Sequence, residues 1–145
     1  MFTKKFLAIV IATFVLFCGA KVFAADVWAY NHPDGDGAYY VDIDSITVIP
    51  GISASRNRAG GRPTVLKFVV KVTTKKTPDG REKIWNGWTY KVYTRQDDPY
   101  NYYVAGIEKG IHANEFYTIP KSDWRMDKIM RVVARYNDFA ASMLP

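Results

Sequence analysis

Thiol and imidazole chemistry is nearly absent from this sequence. One cysteine, Cys18, and two histidines, His32 and His112, are spread over 145 residues. No H-E-x-x-H pair, G-x-S-x-G elbow or glycine-rich phosphate loop occurs. Glu82, Glu108 and Glu115 fall in turn-like or polar segments far apart in the chain. Hydrolysis or group transfer needs a nucleophile with its base, paired carboxylates or a metal. The expectation is therefore a protein that is not an enzyme and holds no cofactor or metal. Asp34-Gly35-Asp36-Gly37 invites an EF-hand comparison, but the fifth position of such a loop falls on Ala38, which offers no oxygen. A plain hairpin turn is expected there.

A long hydrophobic run is missing too. The main apolar stretch, Phe6 to Phe17, falls well short of the roughly 20 residues that span a bilayer. Thr3-Lys4-Lys5 precedes it, and small residues at Val22 and Ala24 come after it. That order marks residues 1–24 as a secretory signal peptide cleaved after Ala24. Lipid anchoring at Cys18 fits poorly behind the bulky Phe17. Residues 25–145 then form a single exported domain, of the periplasm or cell surface, with no transmembrane segment. It has 145 − 24 = 121 residues and no cysteine. Without disulfides such a domain depends on its core, and at this size folding buries roughly 65% of the chain's surface.

The basic excess is small. Lys and Arg number 20 against 14 Asp and Glu, a net +6; losing Lys4, Lys5 and Lys21 leaves 17 − 14 = +3. Nucleic-acid binding, which needs a concentrated basic face, is not expected.

What the sequence does contain is alternation. Along Thr64–Thr74, Leu66, Phe68, Val70 and Val72 share one parity, and Val65, Lys67, Val69 and Lys71 the other. Strand side chains alternate faces, so this is a strand with one apolar and one mixed, basic face. Thr77-Pro78-Asp79-Gly80 supplies turn chemistry. The return strand, Lys83–Thr94, sets Ile84, Trp88, Tyr90 and Val92 against Trp85, Thr89, Lys91 and Tyr93. Shorter strands are expected at Asp26–Tyr30, Ala38–Asp42, Thr47–Ile49, Asn101–Ile107 and Ile111–Ile119. In the first, Trp28 and Tyr30 share a face. Asp42 and Ser45 are expected to steady a turn by bonding to nearby backbone. Ser122 is a favoured N-cap for a helix whose stripe runs Met126, Ile129, Met130, Val133, Tyr136, Ala140. The fold class is α+β: an antiparallel β-sheet built on a long central hairpin, with one C-terminal α-helix packed on a face.

Trp28-Ala29-Tyr30, then Tyr39-Tyr40-Val41-Asp42-Ile43-Asp44-Ser45-Ile46, then a long strand, Pro78-Asp79-Gly80 and a polar–aromatic return strand resemble the surface-adhesin protein E family of small bacterial envelope proteins. The Tyr-Tyr-Val-Asp-x-x-Ser-Ile segment carries most of the likeness, which covers about the first 70 residues after the leader well and the rest in outline. The resemblance implies an antiparallel sheet carrying a helix, displayed in the envelope, with some members binding host matrix proteins. This chain departs from the adhesin proper in lacking the cysteines that tether helix to sheet, and no binding residue carries over.

The expected function is a non-catalytic, adhesin-like interaction module. Arg56, Arg58 and Arg62 lie in a loop, residues 52–62, of small and polar residues before the longest strand. Exposed arginine steers acidic partners and bonds them bidentately, so this loop is the first-contact candidate for a protein or polyanionic surface. Trp85 and Tyr93 are the candidate anchors, because Trp and Tyr join large apolar area to a polar tip. Self-association as a homodimer is compatible with the same features. The alternative is a small-ligand or carbohydrate-binding periplasmic protein. Exposed tyrosines on a flat sheet face favour the first; a concave aromatic pocket with convergent polar groups favours the second.

Overall fold

The structure, a computed structural model, describes residues 25–33, 37–53, 61–73, 84–106 and 115–145, with nothing said of the side chains of residues 84–86. Residues 1–24, the turns expected at Asp34–Asp36 and Pro78-Asp79-Gly80, Arg56, Arg58 and His112 lie outside the described residues.

Six strands follow one another as β1 (Asp26–Asn31), β2 (Ala38–Ile49), β3 (Val65–Thr73), β4 (Ile84–Arg95), β5 (Asp98–Ala105) and β6 (Tyr117–Pro120). Their spatial order is the sequence order, and every neighbouring pair is antiparallel. The sheet is thus a meander curved into a half-barrel. The alternation of β3 sets its geometry. Leu66, Phe68 and Val70 are fully buried, and Val72 is nearly so. Across the β3–β4 register, Leu66 meets Val92, Phe68 meets Tyr90 and Val70 meets Trp88. One face of the sheet centre is therefore continuous hydrocarbon and aromatic ring.

Two helices cover that face. The first, α1 (Trp124–Ala134), buries Met126, Ile129, Met130, Val132 and Val133 and lies against β1 and β2. Each such side chain contributes about 1.5–3 kcal/mol by leaving water. Its N-cap is Asp123 rather than Ser122: the Asp123 carboxylate accepts the N–H groups of Arg125 and Met126 at 3.1 and 2.9 Å. The expected single helix is in fact two. Asn137 adopts extended backbone and its side chain accepts the Ala140 N–H at 3.0 Å, which starts α2 (Asp138–Met143) afresh. Ala140 and Met143 are buried on this second helix, whereas Tyr136 in the break is exposed. Among the described residues no helix is long and apolar enough to cross a membrane.

Two irregularities depart from simple alternation. In β1 the register to β2 shifts between Trp28 and Tyr30. A bulge inserts one residue and reverses the facing of the residues beyond it, so Tyr30 is buried while Trp28 is 52% exposed. In β2 the register to β3 jumps between Asp42 and Thr47. The expected break at 43–46 is therefore a bulge within one 12-residue strand. The Ser45 hydroxyl stabilises it, donating to the Asp42 carbonyl at 2.6 Å and accepting the Val69 N–H at 2.7 Å. Asp42 itself pairs with Lys71 at 3.0 Å, and Lys71 also reaches Asp26 at 2.8 Å.

Candidate binding surfaces

Two surfaces stand out, one on each side of the sheet. On the face away from the helices, the register lines up Ile49 with Val65 and Tyr93 with Tyr103. The Tyr93 ring stacks on Tyr103 with centroids 4.9 Å apart, and Phe116 meets it edge-on at 5.0 Å. Tyr103 is fixed from below, its hydroxyl donating to Asp98 at 2.8 Å, with the Arg95 guanidinium 5.5 Å over its ring. Beside this stack lies a depression of about 330 Å³ lined by Ile49, Pro50, Ile52, Arg62, Tyr93 and Phe116. Its apolar rim is open to solvent: Ile52 is 61% exposed, Ile49 44% and Phe116 39%.

Arg62 reaches this corner because the loop is pinched at its base. Ile52 and Arg62 exchange two backbone hydrogen bonds of 2.8 Å. Gly51 permits the pinch, since a Cβ there would lie 2.5 Å from the Arg62 carbonyl oxygen and 2.6 Å from the Thr64 nitrogen. Of the five candidate residues, Arg62 and Tyr93 thus share one depression, and Arg56 and Arg58 lie outside the described residues. Trp85, whose side chain lies outside the described residues, is on the same strand as Tyr93. The two are eight positions apart on β4, or roughly 25 Å at a strand's rise of about 3.3 Å per residue.

On the helix side the structure contains a second concavity. The bulge in β1 turns Tyr30 inward, where its ring stacks on Tyr39 at 4.4 Å and 14° and meets Trp124 edge-on at 5.2 Å. Tyr30, Tyr39, Trp88 and Tyr90, with Asp123 and Arg125 of the helix start, line a cleft of about 520 Å³. Burial, then the neighbouring Tyr39, pushes the Tyr30 phenol well above its ordinary value. Tyr90 is raised likewise, by burial and then by Tyr30. Both phenols stay protonated at neutral pH, as hydrogen-bond donors and acceptors rather than as acids or bases. Asp123 caps the helix through Oδ1, and Arg125 sits 5.5 Å over the Trp124 ring. Trp88 differs from the other three aromatics. It is half-buried, and among the described residues its indole makes neither a ring contact nor a hydrogen bond.

None of the cleft residues was a site candidate from sequence. The inward facing of Trp88 and Tyr90 is legible in the β4 alternation, but that of Tyr30 depends on the bulge. Among the described residues, no three His, Cys, Asp or Glu side chains are grouped as metal ligands would be. No family model, curated protein or solved structure matches this chain.

Proposed function

We propose that this chain is a non-catalytic binding module of the bacterial cell envelope, exported through residues 1–24, whose open-sheet corner docks an acidic protein surface in an adhesin-like way. The observation that carries the proposal is the meeting of Arg62 and Tyr93 in an exposed apolar depression. Contiguous apolar surface on a soluble domain marks interaction sites, and tyrosine and arginine dominate binding hot spots. The sign of the partner comes from the same face. Lys67 and Lys91 stand directly opposite each other on β3 and β4, one same-face step from Val65 and Tyr93. Together with Arg62 they set basic side chains on this face, the sign that steers an acidic partner. We read β3 and β4, paired antiparallel from Leu66↔Val92 to Thr73↔Ile84, as the two arms of a long hairpin at the sheet centre. The sequence resemblance to surface-adhesin protein E supplies the envelope setting.

The test is binding of the exported protein to a panel of purified matrix proteins, wild type beside Ile52→Ser. Ile52 is largely exposed, so the variant folds. The proposal expects at least one acidic matrix protein to bind and the variant to bind it more weakly. Equal binding by both would rule out the corner as the docking surface.

A second reading has its own observation. The helix-side cleft, lined by the half-buried Trp88, three tyrosines and the polar residues Thr118, Asp123 and Arg125, suits a small ligand, and its volume of about 520 Å³ lies within the roughly 300–1,000 Å³ usual for such sites.

A further inference from the structure

The walls of the helix-side cleft restrict what would fill it. One wall is aromatic: the indole of Trp88 and the rings of Tyr30, Tyr39 and Tyr90. The other mixes the polar residues Thr118, Asp123 and Arg125 with the apolar Ile119, Met126 and Ile129. The phenols, raised in pKa by burial at Tyr30 and Tyr90, add neutral O–H groups. An acyl chain would cover the rings but desolvate the carboxylate, guanidinium and hydroxyls without pairing them, at a cost of several kcal/mol. A phosphate would satisfy Arg125 and be repelled by Asp123. A bare aromatic ring would stack on Trp88 and leave Thr118, Asp123 and Arg125 unmatched.

One ligand class answers both walls. A pyranose ring presents C–H groups on its faces, which lie against an electron-rich indole face, and hydroxyls around its edge. A carboxylate accepts from such hydroxyls and a guanidinium donates to them, so the Asp123–Arg125 pair reads the sugar's rim. We infer that the cleft between β1–β4 and the start of α1 is a saccharide site, with Trp88 as stacking platform and Asp123 and Arg125 as the polar contacts. This inference rests on the small-ligand reading of the cleft and is separate from the open-sheet corner.

The exported protein labelled with 5-fluorotryptophan provides the test, since each indole gives its own fluorine resonance. Trp88→Phe removes and so assigns the Trp88 signal; Trp28, exposed outside the cleft, is the internal control. The probes are maltotriose, chitotriose and lactose, with phenol as a sugar-free aromatic. At least one saccharide is expected to shift Trp88 saturably while leaving Trp28 in place. For that saccharide, calorimetry is expected to show affinity lower by roughly tenfold or more in both Trp88→Phe and Arg125→Gln. Arg125→Gln lies on the exposed rim, so it tests the site even where Trp88→Phe unfolds. A Trp88 shift with phenol and none with any saccharide overturns the saccharide class and leaves a ligand cleft. No shift with any probe overturns both. Unchanged affinity in Arg125→Gln overturns the assignment of the polar contacts.

Discussion

Tyr30 lies flat on Tyr39, ring centroids 4.4 Å apart, across a β1–β2 pair that would hold the two on opposite faces without the bulge beyond Trp28. That single inserted residue builds one wall of the cleft. It also buries a phenol whose ionisation then becomes costly.

Alkaline titration is expected to show that the buried tyrosines ionise late. Burial comes first among the causes that raise Tyr30 and Tyr90, and it pushes Tyr102 up to about 12. A group raised in the fold contributes stability that is fully present below its unfolded value, about 10 for tyrosine, and lost as pH rises through the folded value. Absorbance of tyrosinate reads their ionisation against the ordinary tyrosine range, about 10. Tyr30, Tyr90 and Tyr102 are expected to ionise only well above it, together with unfolding. A single titration near pH 10 with the fold intact would contradict their burial.

Gly51→Ala is expected to destabilise although nothing reactive is touched. The added methyl would press on the Arg62 carbonyl oxygen and the Thr64 nitrogen, both backbone. Overpacking of this kind costs about 1–3 kcal/mol, and chemical denaturation reads it directly. The companion change Gly87→Ala, whose Cβ would meet Val69 and Lys71 side chains at 3.6 and 3.7 Å, is expected to cost far less.

Ser45→Ala removes the hydroxyl that bridges Asp42 and Val69. The Val69 N–H then lacks its acceptor, and an unsatisfied donor costs about 1–3 kcal/mol. Faster amide exchange at Val69, with α1 unchanged, is the accompanying sign.

Removal of the leader after Ala24 would turn the Ala25 nitrogen into an ammonium 3.2 Å from the Asp44 carboxylate. Intact mass of the exported protein is expected to correspond to residues 25–145. Asp44→Asn in that protein is expected to lower the thermal midpoint at neutral pH by a small amount, as surface ion pairs contribute at most about 1 kcal/mol. A mass retaining Met1 or carrying lipid on Cys18 would contradict the processing.

Much of the fold was legible where one period ran without interruption. Leu66, Phe68, Val70 and Val72 of β3, Tyr90 and Val92 of β4, and the helix stripe through Met126, Ile129, Met130 and Val133 lie buried where alternation and helical spacing put them. Legibility ended where a local chemical choice had near-equal alternatives. Ser122 and Asp123 are both good caps, and the backbone used the second. Asn137 restarted a helix that the spacing of Tyr136 and Ala140 would have continued. The site was less legible than the fold for a related reason. Arg62 and Tyr93 are 31 positions apart in the chain and meet through sheet register. The cleft depends on a bulge, which carries no marker in residue type at Ala29. Family resemblance could not supply what periodicity left out, because the segments it rests on are structural.

The central claim is that the open-sheet corner carries binding, and its most direct measurement is the rate of association with the matrix protein selected from the panel. Wild type and Arg56/Arg58/Arg62→Ala are to be compared at low and at physiological ionic strength, where the screening length falls from about 30 to about 8 Å. Charge-steered docking predicts that wild type associates more slowly as salt rises, that the variant is slow at both, and that circular dichroism of the two is the same. Equal rates and equal salt dependence, with the fold intact, would contradict the claim.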